Sequence, residues 1–290
     1  MSDRSEVECL WPLGAELGEG PVWSAAEQAV YFVDIKGLYI HRLDAGACAT
    51  TSWPTPSQTG FIVPARGGGF VCGMQDGLYR FDPASGRFEM LTPVEADRPG
   101  NRINDGFVDA RGRLWFGTMD DGESQSTGTL YAWTGRGPPT PRDTGYAITN
   151  GPAASPDGRT LYHTDSAAKT IYAFDLAADG AISGKRVFAR IDDAHPDGMA
   201  VDAEGALWVA LFGGWRIDRY SPAGAVIGSV AFPCANITKL AFGGDDLRTV
   251  YVTTAKLHLS TEQRAAQPLA GGLFRFRVDT PGLPQALLDL

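Results

Sequence analysis

Apolar residues in this chain fall into short runs separated by Asp, Pro and Gly, and the runs repeat in a fixed cycle. Six runs open on a polar residue followed by glycine or a stand-in. They read Gly18-Glu19-Gly20-Pro21-Val22-Trp23, Gln58-Thr59-Gly60-Phe61-Ile62, Asn104-Asp105-Gly106-Phe107-Val108, Thr149-Asn150-Gly151-Pro152-Ala153, Pro196-Asp197-Gly198-Met199-Ala200 and Ile237-Thr238-Lys239-Leu240-Ala241. Aligned on Gly20, Gly60, Gly106, Gly151, Gly198 and Lys239, the step is about 40 to 47 residues, the period of propeller blades or solenoid units. A turn follows, as at 109–112, 155–158 and 202–205, where Gly accepts positive φ and Asp or Ser bonds the turn backbone. Next comes an aromatic and β-branched run (29–33, 114–118, 161–164, 207–210, 250–253), then an alternating one (38–43, 78–81, 130–133, 171–174, 273–276). Period-two alternation bounded by turn signals predicts strands. A less regular fourth strand, such as 187–190, closes each unit, and no stretch shows helical spacing with caps at both ends. The pattern predicts an all-β chain.

Six four-stranded units predict a six-bladed β-propeller, one domain over 1–290 closed around a central channel. The first unit begins near Glu19, which leaves residues 6–11 over, and the last runs out of chain after its third strand at Arg277. The N-terminal segment is therefore expected to complete the last blade and remove an open edge. A pair of β-sandwiches is the competing all-β reading. The even spacing from end to end, without a linker, argues against it.

Composition narrows the partners. The formal net charge is −9 with Lys and Arg scattered, which argues against nucleic acid. No apolar run approaches the roughly 20 residues of a spanning helix, and the first residues form no apolar signal region, so no membrane is expected. Cys9, Cys48, Cys72 and Cys234 lack zinc or redox spacing and are expected to be small buried hydrophobes of a cytoplasmic protein.

The chemistry lies in the polar residue before each aligned position: Glu19, Thr59, Asp105, Asn150, Asp197 and Thr238. Repeat units of one shape put equivalent positions in one ring, so Glu19, Asn150 and Asp197 are expected at one mouth of the channel. Two carboxylates and an amide carbonyl suit a divalent cation (calcium, manganese, iron(II) or zinc) and leave coordination positions for water or substrate. Asx-Gly is also a common turn pair, and each residue alone could merely bond a turn. Asp105 reads as a ring residue or a turn cap, and Thr59 and Thr238 show that not every blade contributes a strong ligand. Arg102 and Asn104 lie just before the third ring position and suit the hydroxyl and carbonyl groups of a sugar-like ligand. His195 lies two before Asp197 and is placed to flank the mouth, although His41, His163, His195 and His258 form no metal spacing. The serines, Ser166 included, lack a strand–turn–helix elbow, and Gly67-Gly68-Gly69 reads as a hairpin turn without a phosphate-binding helix.

Over nearly its whole length the chain resembles the gluconolactonase, senescence marker protein (regucalcin) and luciferin-regenerating enzyme family. The resemblance rests on Gly18-Glu19-Gly20-Pro21-Val22-Trp23, Arg102-Ile103-Asn104-Asp105-Gly106, Gly117-Thr118-Met119, Thr149-Asn150-Gly151, Pro196-Asp197-Gly198-Met199 and Tyr251-Val252-Thr253-Thr254-Ala255. It implies one divalent cation held by Glu19, Asn150 and Asp197, with Arg102 and Asn104 on substrate hydroxyls. It also implies hydrolysis of an aldonolactone, such as xylonolactone or gluconolactone. In that reaction Asp197 is expected to ligate through one oxygen and act as catalytic base through the other. Relatives carry glutamates after Gly-Thr-Met; here Met119-Asp120-Asp121-Gly122-Glu123 follows, and Asp121 takes the place of the further substrate contact. The expected partner is a small sugar lactone, with no obligate protein partner. A non-enzymatic cation or metabolite binder, a scaffold for protein partners, and a phosphotriester or aryl-ester hydrolase are the rival functions.

Overall fold

Each predicted cycle of turn, apolar run and alternating run becomes one antiparallel sheet. The structure, a computed structural model, describes residues 6–290 and contains six four-stranded sheets arranged as the blades of a β-propeller. The innermost strands are Gly18–Ser24, Thr59–Pro64, Asn101–Val108, Thr149–Ala154, His195–Val201 and Ile237–Gly243. Each lies against the innermost strands of both neighbouring blades, which closes the ring around the channel. We number the blades one to six in that order.

Glu8–Trp11 supplies the fourth strand of blade six by pairing with Leu273–Arg277, as the leftover segment predicted; Glu6 and Val7 lie outside any strand. Blade six also meets blade one at the axis, where Thr238 Oγ1 donates to Gly18 O at 2.6 Å. Apolar side chains fill the wedges between blades. Trp23 stacks on Tyr251 with centroids 5.4 Å apart, Tyr31 meets Phe70 at 4.5 Å, and Trp208 meets Phe242 edge-on at 6.1 Å. The segment after Arg277 crosses beneath the ring: Gly282 bridges to Asp202 of the blade-five turn, and Leu288 bridges to Ala65 beyond blade two's inner strand.

Two expectations need correction. A short helix, Thr261–Ala266, is present, capped by Ser260, whose Oγ accepts from Gln263 N while Gln263 Oε1 accepts from Ser260 N. That reciprocal Ser-x-x-Gln capping box, which sequence reasoning passed over, marks the helix start. Cys72 and Cys234 are buried, but Cys48 is exposed and Cys9 half-buried, so the four cysteines are not all core residues.

Candidate active site in the channel mouth

The polar ring positions reach the channel through a local irregularity common to all blades. Register breaks between Glu19 and Val22, Thr59 and Phe61, Ile103 and Gly106, Asn150 and Ala153, Pro196 and Met199, and Ile237 and Lys239. A bulge inserts an unpaired residue and re-aims its neighbours. Polar groups can thus point at the axis while the apolar residues beyond keep their wedges. Gly151 sits at φ +45° in one bulge, a region unfavourable for residues with a Cβ, and its N–H donates to Asp105 Oδ2 at 2.8 Å. The incoming loops are tied down by aspartates that end second strands. Asp34 accepts from the N–H groups of Glu16 and Leu17 ahead of Glu19, and Asp165 accepts from Ala147 and Ile148 ahead of Asn150.

Glu19, Asn150 and Asp197 are buried and line one cavity of about 150 Å³, together with Arg102, Asn104, Ser166 and His195. A hydrogen-bonded chain sets the donor atoms. Arg102 Nη1 donates to Asn104 Oδ1 at 2.5 Å; Asn104 Nδ2 donates to Asn150 Oδ1 at 2.9 Å and to Thr149 O at 2.7 Å. Asn150 Nδ2 then donates to Ser166 Oγ at 2.8 Å, and Ser166 to Pro196 O at 2.6 Å. His195 stands exposed at the rim, its Nδ1 2.9 Å from Ser166 O. Asp121 does not line the cavity. It grips Arg102 Nε at 2.7 Å and also accepts from Lys36 at 2.7 Å and Gln58 at 3.1 Å. Partial burial alone would raise its carboxyl, but the bonds from Lys36 and Gln58 and the Arg102 charge outweigh this and hold it down at about 2.

Charge is concentrated below. Glu19 and Asp197 act on each other electrostatically. Burial first, then the negative charge of Asp105, pushes the Glu19 carboxyl up to about 8, with Lys239 pulling it back. Burial and then the charges of Glu19 and Asp105 push Asp197 well above the carboxylate range. Asp197 Oδ1 is buried without a hydrogen-bond partner. Buried polar atoms are normally satisfied, and two adjacent carboxylates need a compensating charge to remain ionised. An orphaned carboxylate oxygen in a cavity shared with a second carboxylate and an amide oxygen fits a divalent cation. Among the described residues no group of three His, Cys, Asp or Glu side chains is placed to hold a metal, so the third protein oxygen would have to be that of Asn150.

Thr59 and Thr238 turn their hydroxyls to backbone carbonyls rather than into the cavity. Asp105 lies deeper: its Oδ1 accepts from Gly106 N at 2.7 Å and is ion-paired with Lys239. Sequence reasoning assigned nothing to Lys239, nor to Phe212 at the end of blade five's second strand, nor to Glu123, Leu257 and His258, which line the cavity from loops that no repeat register places. A second cavity of about 630 Å³ opens at the other end of the channel, floored by residues 283–286 and roofed in part by Lys239.

Residues 17–256 match the sequence family described as SMP-30/Gluconolactonase/LRE-like region. The chain belongs to this family. Within it, the chain is 34% identical over 284 residues to 6-deoxy-6-sulfogluconolactonase of Pseudomonas putida, covering 97% of this chain and 98% of that one. It is also 34% identical to L-arabinolactonase of Azospirillum brasilense, covering 93% and 91%. A crystal structure of regucalcin from Agrobacterium tumefaciens, described as a calcium-binding protein, superposes with a TM-score of 0.95 at 29% identity, covering 99% and 98%. The family match contains every candidate ligand and Lys239, whereas His258 on the cavity rim lies beyond it.

Proposed function

We propose that this member of the family hydrolyses a sugar lactone, such as xylonolactone or gluconolactone, to the aldonic acid, with a divalent cation held by Glu19, Asn150 and Asp197. The observation that carries the reading is the buried, unpartnered Asp197 Oδ1 in a cavity shared with Glu19, Asn150, Arg102 and Asn104. The lactonase relatives support the reaction, and the calcium-binding relative supports a divalent ion. An oxygen-only donor set suits calcium or manganese, and iron(II) or zinc with less preference. A cation bound there would act as a Lewis acid on the lactone carbonyl.

This chain's own residues do the rest. Arg102 and Asn104 orient the ring hydroxyls, already held by Asp121 and Asn150 so that little ordering remains when substrate arrives. Asp197, with Oδ1 toward the cation, takes a proton through its other carboxylate oxygen from the water that adds to the carbonyl carbon. As the bond from that carbon to the ring oxygen breaks, the proton passes to the departing alkoxide. Leu17, Phe212 and Leu257 give the cavity apolar walls that limit access of bulk water. A cytoplasmic place of action goes with this reading, since four free cysteines suit a reducing compartment.

The test is a pH-stat assay on pentono- and hexonolactones, with chelator-stripped protein and each metal added back. Turnover above the spontaneous rate should require metal, and Asp197→Asn should lose at least about 100-fold in kcat while keeping the wild-type melting profile. Metal binding without turnover would instead leave a cation or metabolite binder. Parental rates in Asp197→Asn would remove the role given to that carboxyl.

A further inference from the structure

At the position where five blades carry glycine, blade six carries Lys239. Its side chain is buried, and its stem lies so close over Gly198 that a Cβ there would come within 2.4 Å of Lys239 Cγ. The ammonium crosses the channel from blade six to blade three, where it pairs with Asp105 and donates to Gly106 O at 3.2 Å. Asp105 is otherwise the third carboxylate of the ring. Its two oxygens are taken by Gly106 N at 2.7 Å and Gly151 N at 2.8 Å, so it faces the backbone of blades three and four. Lys239 does not line the cavity that holds Glu19 and Asp197.

Fully ionised around a bound cation, the three buried carboxylates of the channel would carry three negative charges, of which Lys239 cancels one. We infer that Lys239 is a built-in counter-ion that keeps Asp105 out of coordination and limits the site to the charge of a single, moderately held divalent cation. The inference rests on the cation reading of Glu19, Asn150 and Asp197. A buried cation acts strongly on a neighbouring one because screening is weak there. Removing it leaves Asp105 uncompensated beside the site and strengthens attraction for a divalent ion; removing Asp105 alone leaves Lys239 to repel that ion.

A charge cycle tests this by calorimetric titration of calcium and of manganese into chelator-stripped wild type, Lys239→Met, Asp105→Asn and the double variant, each with a thermal melt. Expected are one cation per wild-type chain, binding at least about tenfold tighter in Lys239→Met, at least about tenfold weaker in Asp105→Asn, and within about threefold of wild type in the double variant. Wild type that binds no cation removes the metal reading itself. Wild type that binds while Lys239→Met is unchanged overturns only the role of Lys239. Should Lys239→Met fail to fold, the other two decide: a double variant as weak as Asp105→Asn makes Asp105 a ligand and overturns the inference.

Discussion

His163 shows what a single buried side chain does to stability. It is inaccessible to solvent, lies edge-on to Tyr146 with centroids 4.5 Å apart, and neither ring nitrogen has a hydrogen-bond partner. Burial pushes its imidazole down to about 3. Unfolded, the ring takes up a proton near pH 6.5, while the native ring stays neutral. The folded pKa is therefore depressed, and the stability tied to it is complete above pH 6.5 and drains away as pH falls toward 3. By pH 5 the loss from this group alone is about 2 kcal/mol. Chemical denaturation at pH 7 and pH 5 should show it, and His163→Phe, which keeps the ring contact with Tyr146, should shrink the difference by about that amount. An unchanged pH dependence in His163→Phe would place the acid sensitivity elsewhere.

At the scale of strands and turns, the cycle Asp-x-x-Gly-x-x-Trp appears in blades three and five as a lock. Asp202 Oδ1 accepts from Glu204 N and Ala206 N at 3.0 Å, while Oδ2 takes Trp208 Nε1 at 2.9 Å and Arg219 Nε at 2.9 Å. Asp109 holds Arg111 N, Arg113 Nε and Trp115 Nε1 in the same way. Asp202→Ala strips several donors of their partner at once and leaves the Arg219 head, also held by Glu204 and Thr280, without its buried carboxylate. A loss of about 3 to 5 kcal/mol in urea unfolding is expected, with Trp208 fluorescence shifted. A loss below about 1 kcal/mol would show that water replaces the carboxylate.

The same scale explains what the sequence could and could not disclose. Glu19, Asn150 and Asp197 were readable because a charged or amide side chain interrupts an apolar run at one phase of a 40-to-47-residue cycle, and equal phase means equal height on the axis. The hairpin at Gly67-Gly68-Gly69 was readable for a similar local reason: its φ values of +91°, +97° and +70° are ones glycine adopts freely. The reach of Lys239 was not. Phase fixes where a Cα sits, but not that a long flexible stem will span the channel to Asp105. The rim was opaque for a different reason: Glu123 and His258 lie on non-repeating loops and meet at 3.5 Å only because the ring brings blades three and six face to face. Asp121 was legible as a residue near the site, while its part in holding Arg102 from behind depended on Lys36 of blade one and Gln58 before blade two.

For the whole molecule, ring closure depends on a strand far removed in sequence from its partners. Glu8, Cys9 and Trp11 register against Arg275, Phe274 and Leu273, and Trp11 packs edge-on to Phe32 of blade one at 5.8 Å. Without residues 1–12, the 273–277 strand would present an unpaired edge, and such edges recruit other chains. That truncation should lower the melting temperature by roughly 5 °C or more, taking about 2 kcal/mol lost and the usual 2 to 4 °C per kcal/mol for a domain of this size. Light scattering should show larger particles on warming; a monomer melting like wild type would mean that the edge is protected some other way.

This arrangement also dictates a schedule. Residues 8–11 are made before any of the six inner strands, yet their seat is the flank of a strand made more than 260 positions later. Five blades can assemble from neighbouring segments as they emerge, whereas the sixth must wait for its last strand to find residues 8–11. The last step of maturation is then an encounter between two segments far apart along the polypeptide, the slow kind of contact whose probability falls with the length of chain between them.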